Sequence, residues 1–324
     1  MTATDIRARS IRPFTGEWLA DWDELALRSA NGTFLHTREF LGCHGDRYRD
    51  RSLLVTGPKD RLAGVFPAAE DPDDPTMVVS HPGLPYGGLV HDGSLYGPAM
   101  LAALTEIAAE YRSLGFTRLR CRPVPHIYHR RPAGDEVYAL YRLGARREGC
   151  DLAAVIDVAD RGKVRADRRR GLRLAAAAGV RAEEGWHNAA AFWRILEDNL
   201  AARHGAAPAH TLAQLGYLHE RFAAQITLVT AKADGDVLAG CLFFGAGRAL
   251  HAQYTAASPA GRALHATEVA VERGIGLARD RGFRYLSFGT STQERGARLN
   301  ESQYDFKCSF GARGVVHEHY RLTL

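Results

Sequence analysis

The sequence is poor in lysine. Of its 42 basic residues only four are lysines, Lys59, Lys163, Lys232 and Lys307. The remaining basic residues are arginines, so each lysine stands out against that background. Cysteine is also sparse. Cys43, Cys121, Cys150, Cys241 and Cys308 are an odd number, widely scattered and without a CxxC pair. That excludes a zinc knuckle and a dithiol redox site, and points to reduced thiols. No stretch reaches the ~20 consecutive apolar residues of a membrane helix. The N-terminal segment has arginines but no apolar core behind them, unlike a secretory leader. A cytoplasmic protein without membrane insertion is expected. GxSxG, Walker A and HExxH are absent, and Gly274 and Gly276 do not follow a strand as a dinucleotide fingerprint requires. The histidine pairs His126/His129 and His317/His319 lack supporting carboxylate or thiol ligands. No metal and no bound cofactor are therefore expected.

What is present is ordinary globular composition in 324 residues: 46% hydrophobic and 24% charged, with a net charge of +5. That length suits two domains. An internal repeat supports the same division. The segment 52–70, SLLVTGPKDRLAGVFPAAE, resembles 226–246, ITLVTAKADGDVLAGCLFFGA. Each reads as a strand, a polar turn and a strand opening on Leu-Ala-Gly. Then 106–123, EIAAEYRSLGFTRLRCRP, resembles 268–289, EVAVERGIGLARDRGFRYLSFG. Each reads as an amphipathic helix, a Gly-Phe stop and a strand. The order and the nearly constant offset argue for duplication of one α/β unit, a mixed sheet flanked by helices. The expected division is 1–150 and 151–324, the second half opening on a basic helix.

Three constellations could carry chemistry. The first is the cationic run Lys163, Arg165, Arg168, Arg169, Arg170 and Arg173, offset nearby only by Asp160 and Asp167. It suits phosphate backbones, or is a solvated helix face with local ion pairs. The second is Lys307 between Phe306 and Cys308. A lysine in a partly apolar run is costly unless it meets an anion or a developing negative charge. In a cleft it could stabilise an oxyanion; at an edge it would simply be exposed. The third is the pair HPGLPYGGLVHDG (81–93) and HAQYTAASPAGRA (251–263), with Tyr86 and Tyr254 as ligand contacts or as ordinary strand and loop aromatics.

Taken together these features resemble the GNAT acyltransferase fold in tandem, and the FemABX family in particular. The resemblance covers residues 15–322 and rests on KVRADRRRGLRLAAAAGV (163–180), YLSFGTST (285–292) and YDFKCSFGAR (304–313). The coiled-coil arm of some family members is missing. The resemblance implies two GNAT-like units. It implies an enzyme that moves an amino acid from aminoacyl-tRNA to the amine of a peptide-like small molecule, an antibiotic intermediate or a cell-wall precursor. It assigns Lys307 to the oxyanion or departing ribose oxygen, Phe306 to the adenosine end, and the cationic run to the tRNA backbone. Tyr86, Arg203 and Tyr254 are candidate acceptor contacts, and Glu301 and Asp305 candidate bases. Two alternatives stay open: a CoA-dependent N-acyltransferase, and a binding protein without catalysis. Against CoA, the loop SPAGRALHATE (258–268) has one glycine, Gly261, and no arginine three residues before it.

Overall fold

The computed structural model describes residues 10–204 and 207–324; the side chains of Arg203 and His204 are outside that description. Contacts divide the chain into two compact units, the first Met1–Asp151 with Thr292–Arg298 and Val316–Leu324, the second Leu152–Ser291 with Leu299–Val315.

In the first unit, β1 (Ser10–Pro13) leads through α1 (Leu19–Arg28) and α2 (Arg38–Gly42) to the hairpin β2 (Leu53–Thr56) and β3 (Leu62–Phe66). A second hairpin, β4 (Ala69–Asp71) and β5 (Asp74–Val79), follows, then β6 (Val90–His91), α3 (Pro98–Ser113), β7 (Arg118–Cys121), α4 (Asp135–Arg142) and β8 (Arg146–Asp157). The strands β1-β2-β3-β6 form one small sheet. Strand β5 pairs with β7 in parallel, Met77 opposite Arg118 and Val79 opposite Arg120. The apolar faces of β2, β3, β5 and β7 bury Leu53, Val55, Phe66, Val78 and Leu119 against Met100, Leu104, Ile107 and Tyr111 of α3. These α3 residues recur every three or four positions, the spacing of one helix face.

The second unit runs α5 (Ala166–Ala177), β9 (Arg181–Glu184), α6 (Ala189–His204), α7 (Leu212–Arg221), β10 (Ile226–Ala233), β11 (Asp236–Ala246), β12 (Ala249–Ala257), α8 (Pro259–Ala263), α9 (Ala266–Asp280) and β13 (Tyr285–Thr290). Its strands follow the order β8-β13-β12-β11-β10-β9. The core packs α9, through Ala270, Val271, Ile275 and Ala278, on Val229, Cys241, Phe243 and Leu286. Gly274 explains itself here: a Cβ on it would lie 2.2 Å from the Phe243 ring, so the helix reaches the sheet only without one.

The sequence repeat is a structural one. Hairpin β2–β3 corresponds to β10–β11, β5 to β12, and helix–strand α3–β7 to α9–β13. In each unit the last two strands of the repeat are parallel. Each repeat helix stops on a glycine of positive φ, Gly115 at 90° and Gly282 at 73°. The sheets differ: β2–β3 and β5–β7 belong to separate sheets, whereas β10 to β13 share one.

After β13 the chain forms the short ribbon strands β14 (Thr292–Gln293) and β15 (Arg298–Leu299), then α10 (Glu301–Cys308) and β16 (Arg313–Thr323). The assignment of everything after 150 to the second unit is corrected here. Segments 292–298 and 316–324 are part of the first unit. The reason is a ladder: the end of β16 pairs antiparallel with β7, from Tyr320 opposite Cys121 to Thr323 opposite Arg118. No helix among the described residues is long and apolar enough to cross a membrane.

Candidate active site

Strands β12 and β13 are joined by three rungs only, ending at His251 opposite Ser287. Beyond them β12 continues along β11. On its other side β13 pairs with β8 but bulges between Ser287 and Thr290. Gly289 takes a φ of 69° within that bulge. The carbonyls there are turned out of the ladder and need donors. Lys307 supplies them: its Nζ donates to Gly289 O at 3.1 Å and to Thr290 O at 2.7 Å. The lysine is buried, being 8% exposed, and burial lowers its pKa to about 8. A lysine so acidified is still mostly protonated at neutral pH and is a competent proton donor there. Two of its three protons face the carbonyls, which leaves one for a reacting group. Ser287 Oγ accepts from Gly289 N–H at 3.2 Å and lies 3.4 Å from His251 Nδ1. His251 and Ser287 were not singled out from the sequence; only the fold brings them to these carbonyls.

Phe306 packs edge-on to Phe310, ring centres 5.3 Å apart. The Arg168 guanidinium lies over both rings, 4.8 Å from Phe306 and 5.4 Å from Phe310. The motif FKCSF and the basic helix α5 therefore meet.

The cationic run divides into two sets with different work. Arg168 donates to Glu268 at 2.5 Å and to Ser309 Oγ at 2.9 Å. Arg161, which opens the cationic run two residues before Lys163, holds both oxygens of Glu272 and the Phe310 carbonyl. Arg165 grips both oxygens of Asp305, at 2.8 and 2.7 Å. These arginines tie α5 to α9 and α10. The expectation that only Asp160 and Asp167 offset the run is thus corrected: Glu268, Glu272 and Asp305 offset it too. Asp305 is also committed to Arg165, which counts against it as a base, while Glu301 is exposed on the first turn of α10. Lys163, Arg169, Arg170 and Arg173 are exposed. Glu268, buried on the core face of α9, is an acid inside an apolar period; that was the available signal for a fixed partner.

The other candidates have partners of their own. Tyr86 belongs to the first unit and is buried, its ring centre 4.6 Å from Tyr128 and 5.7 Å from His36. Burial holds its phenol well above the ordinary range. Tyr254, on β12 of the second unit, stands edge-on to Trp193, and its Oη lies 2.9 Å from His210 Nδ1. The side chain of Arg203 lies outside the described residues.

The loop between β12 and α9 is occupied with its own structure. A Cβ on Gly261 would fall 2.1 Å from the Leu238 carbonyl, so this glycine serves helix–strand approach. Gly261 N–H donates to Ser258 Oγ, and Arg262 to Asn199 and to the Ala257 carbonyl. Among the described residues no cluster of three metal-ligating side chains occurs.

Residues 161–307 match the model of the acetyltransferase (GNAT) domain. The chain has the tandem GNAT fold and is FemABX-like in architecture. It is similar to FemX, with TM-score 0.69 and 14% identity, 97% of each chain being covered. It is also similar to L-PGS from Bacillus licheniformis, with TM-score 0.61 and 12% identity over 95% of this chain and 91% of that one. A third likeness is to the C-terminal domain of a putative lysylphosphatidylglycerol synthetase from Agrobacterium fabrum, with TM-score 0.60 and 10% identity over 95% and 92%. These likenesses define the fold. No curated protein sequence matches the chain. The domain match over residues 161–307 and these likenesses together establish a GNAT-type fold.

Proposed function

We propose that the protein transfers an aminoacyl group from aminoacyl-tRNA to the amine of a peptide-like small molecule, an antibiotic intermediate or a cell-wall precursor. The observation that carries this reading is Lys307, a buried ammonium held at the end of two parting strands with one proton unassigned. The acceptor nitrogen attacks the ester carbonyl and a C–N bond forms. The tetrahedral oxyanion is stabilised by the Lys307 ammonium, a contribution of ~3 kcal/mol for one well-placed donor. The C–O bond to the ribose then breaks. Lys307 gives a proton to the departing oxygen and recovers one from the acceptor ammonium. An ester is already activated, so no covalent enzyme intermediate is required. Phe306, with Arg168 over it, offers a flat surface to a nucleobase, and Lys163, Arg169, Arg170 and Arg173 offer exposed charge to a phosphate backbone. The likeness in fold to FemX and to the two synthetase structures supports the reading.

A CoA-dependent N-acyltransferase is the second reading, favoured by the match to the acetyltransferase domain model. The internally bonded 258–265 loop argues against it. The test is label transfer from a pool of tRNAs charged with radiolabelled amino acids to a panel of amines, with and without ribonuclease. Ribonuclease-sensitive transfer is expected. Transfer from labelled acetyl-CoA with none from tRNA would replace the first reading by the second.

A further inference from the structure

We propose that the first unit holds a carboxylate-binding site built on Arg122, which receives a carboxylate of the acceptor. Two arginines of the same edge make the contrast. Residues two apart on a strand share a face, which places Arg122, just past β7, beside Arg120. Arg120 is neutralised twice, by Asp71 at 2.7 Å and Glu148 at 2.5 Å, and Arg321 adds a second cation to Glu148 at 3.7 Å. Two arginines there meet two carboxylates. Arg122 meets none. Its Nη2 donates to the His81 carbonyl at 2.7 Å, while its Nε is shut off from solvent without an acceptor. An unmatched guanidinium N–H in such a place is expensive, and a fold that pairs Arg120 so fully leaves Arg122 open.

The surroundings define the ligand. Asp151 is the acid whose charge reaches Arg122. Both of its oxygens are taken, one by His319 Nε2 at 2.8 Å and one by Thr292 Oγ1 at 2.7 Å. His317 lies two residues before His319 on β16 and thus on the same face. It is buried, edge-on to Tyr128, and its Nε2 has no partner. The His81 ring packs against His44 and Tyr48, centres 5.6 and 5.5 Å away. Burial holds His81 at about 3 and His317 at about 4, so both rings are neutral at pH 7. The site therefore offers one guanidinium with no carboxylate bonded to it, within reach of the fixed charge of Asp151. That suits a monoanion and disfavours a dianion. The planar fork of arginine matches the two oxygens of a carboxylate, and a neutral imidazole can add a further hydrogen bond.

That the carboxylate belongs to the acceptor rests on the proposed function; binding itself is tested without any donor. The full-length protein is titrated calorimetrically with alanyl-alanine, its C-terminal amide and inorganic phosphate, while the ring resonances of His317 are followed by NMR. Alanyl-alanine should bind at least tenfold tighter than the amide and perturb His317. Arg122→Gln should abolish that discrimination and Arg122→Lys restore part of it. His317→Phe, which keeps the ring volume, should weaken binding if Arg122→Gln fails to fold. Equal affinity for acid and amide, phosphate binding as tight as alanyl-alanine, or no binding of the acid would each overturn the proposal. Carboxylate binding without tRNA-dependent transfer would leave the site standing and remove the proposed function. Transfer whose KM is unmoved by Arg122→Gln would do the reverse.

Discussion

Replacing Lys307 by methionine separates function from stability, because its energetic terms oppose each other. The gap between its pKa of about 8 and the usual 10.5 sets the cost of keeping the ammonium buried at ~3 kcal/mol. Methionine keeps most of the side-chain stem and removes that cost. It also strips the donors from Gly289 O and Thr290 O, at ~1–3 kcal/mol for each carbonyl left unsatisfied. The two terms nearly cancel, and the unfolding free energy from urea titration should move by less than ~2 kcal/mol at pH 7. Turnover should fall by ~100- to 1,000-fold, the cost of one oxyanion donor. The sign of the pH dependence follows from a lowered base. Below about 8 the native state bears the whole penalty, and between about 8 and 10.5 it is progressively relieved. Wild type should therefore gain on Lys307→Met across that window. A loss above ~4 kcal/mol with activity retained per folded molecule would make Lys307 structural and refute the reasoning.

Other perturbations test the rest of the arrangement. Arg168→Met strands the buried Glu268 and should cost ~3 kcal/mol; adding Glu268→Gln should recover most of it in chemical denaturation, which a purely tRNA-contacting arginine would not do. Reversing Lys163, Arg169, Arg170 and Arg173 to glutamate should leave the thermal midpoint nearly unchanged. The same reversal should weaken tRNA binding and flatten its salt dependence in filter-binding titrations, and an unchanged salt slope would remove this face from the interface. Glu136 is buried, accepts the Leu89 N–H at 2.7 Å, and is pushed up to about 7 by burial. Between its usual 4.5 and about 7 the unfolded chain has lost a proton that the folded one keeps, so stability falls as pH rises. Glu136→Gln keeps the acceptor and should be more stable than wild type by up to ~3 kcal/mol at pH 8. That difference should vanish below pH 4.5; a constant difference would assign the effect to packing.

Local chemistry made much of this molecule readable before it was folded. The hairpins at 52–70 and 226–246 and the Gly-Phe helix stops declare themselves because alternation, turn residues and capping glycines act over a few residues. Lys307 was conspicuous because an amine in an apolar run needs a reason. The partners were not readable. Glu268 and Glu272 lie 100 and 111 residues from the arginines they neutralise, so a run that looks uniformly cationic conceals which members are ties and which are exposed.

The sequence by itself determined the repeated strand and helix pattern, the tandem α/β class and the identity of the conspicuous lysine, since these depend on near-neighbour spacing and residue type. Tertiary structure alone decided that β16 ends in the first unit, that the bulge in β13 presents two carbonyls to Lys307, and that Arg120 is paired while Arg122 is not. Such outcomes depend on strand register and on burial, where one residue's shift changes every partner and moving a charge out of water changes its energy by kilocalories.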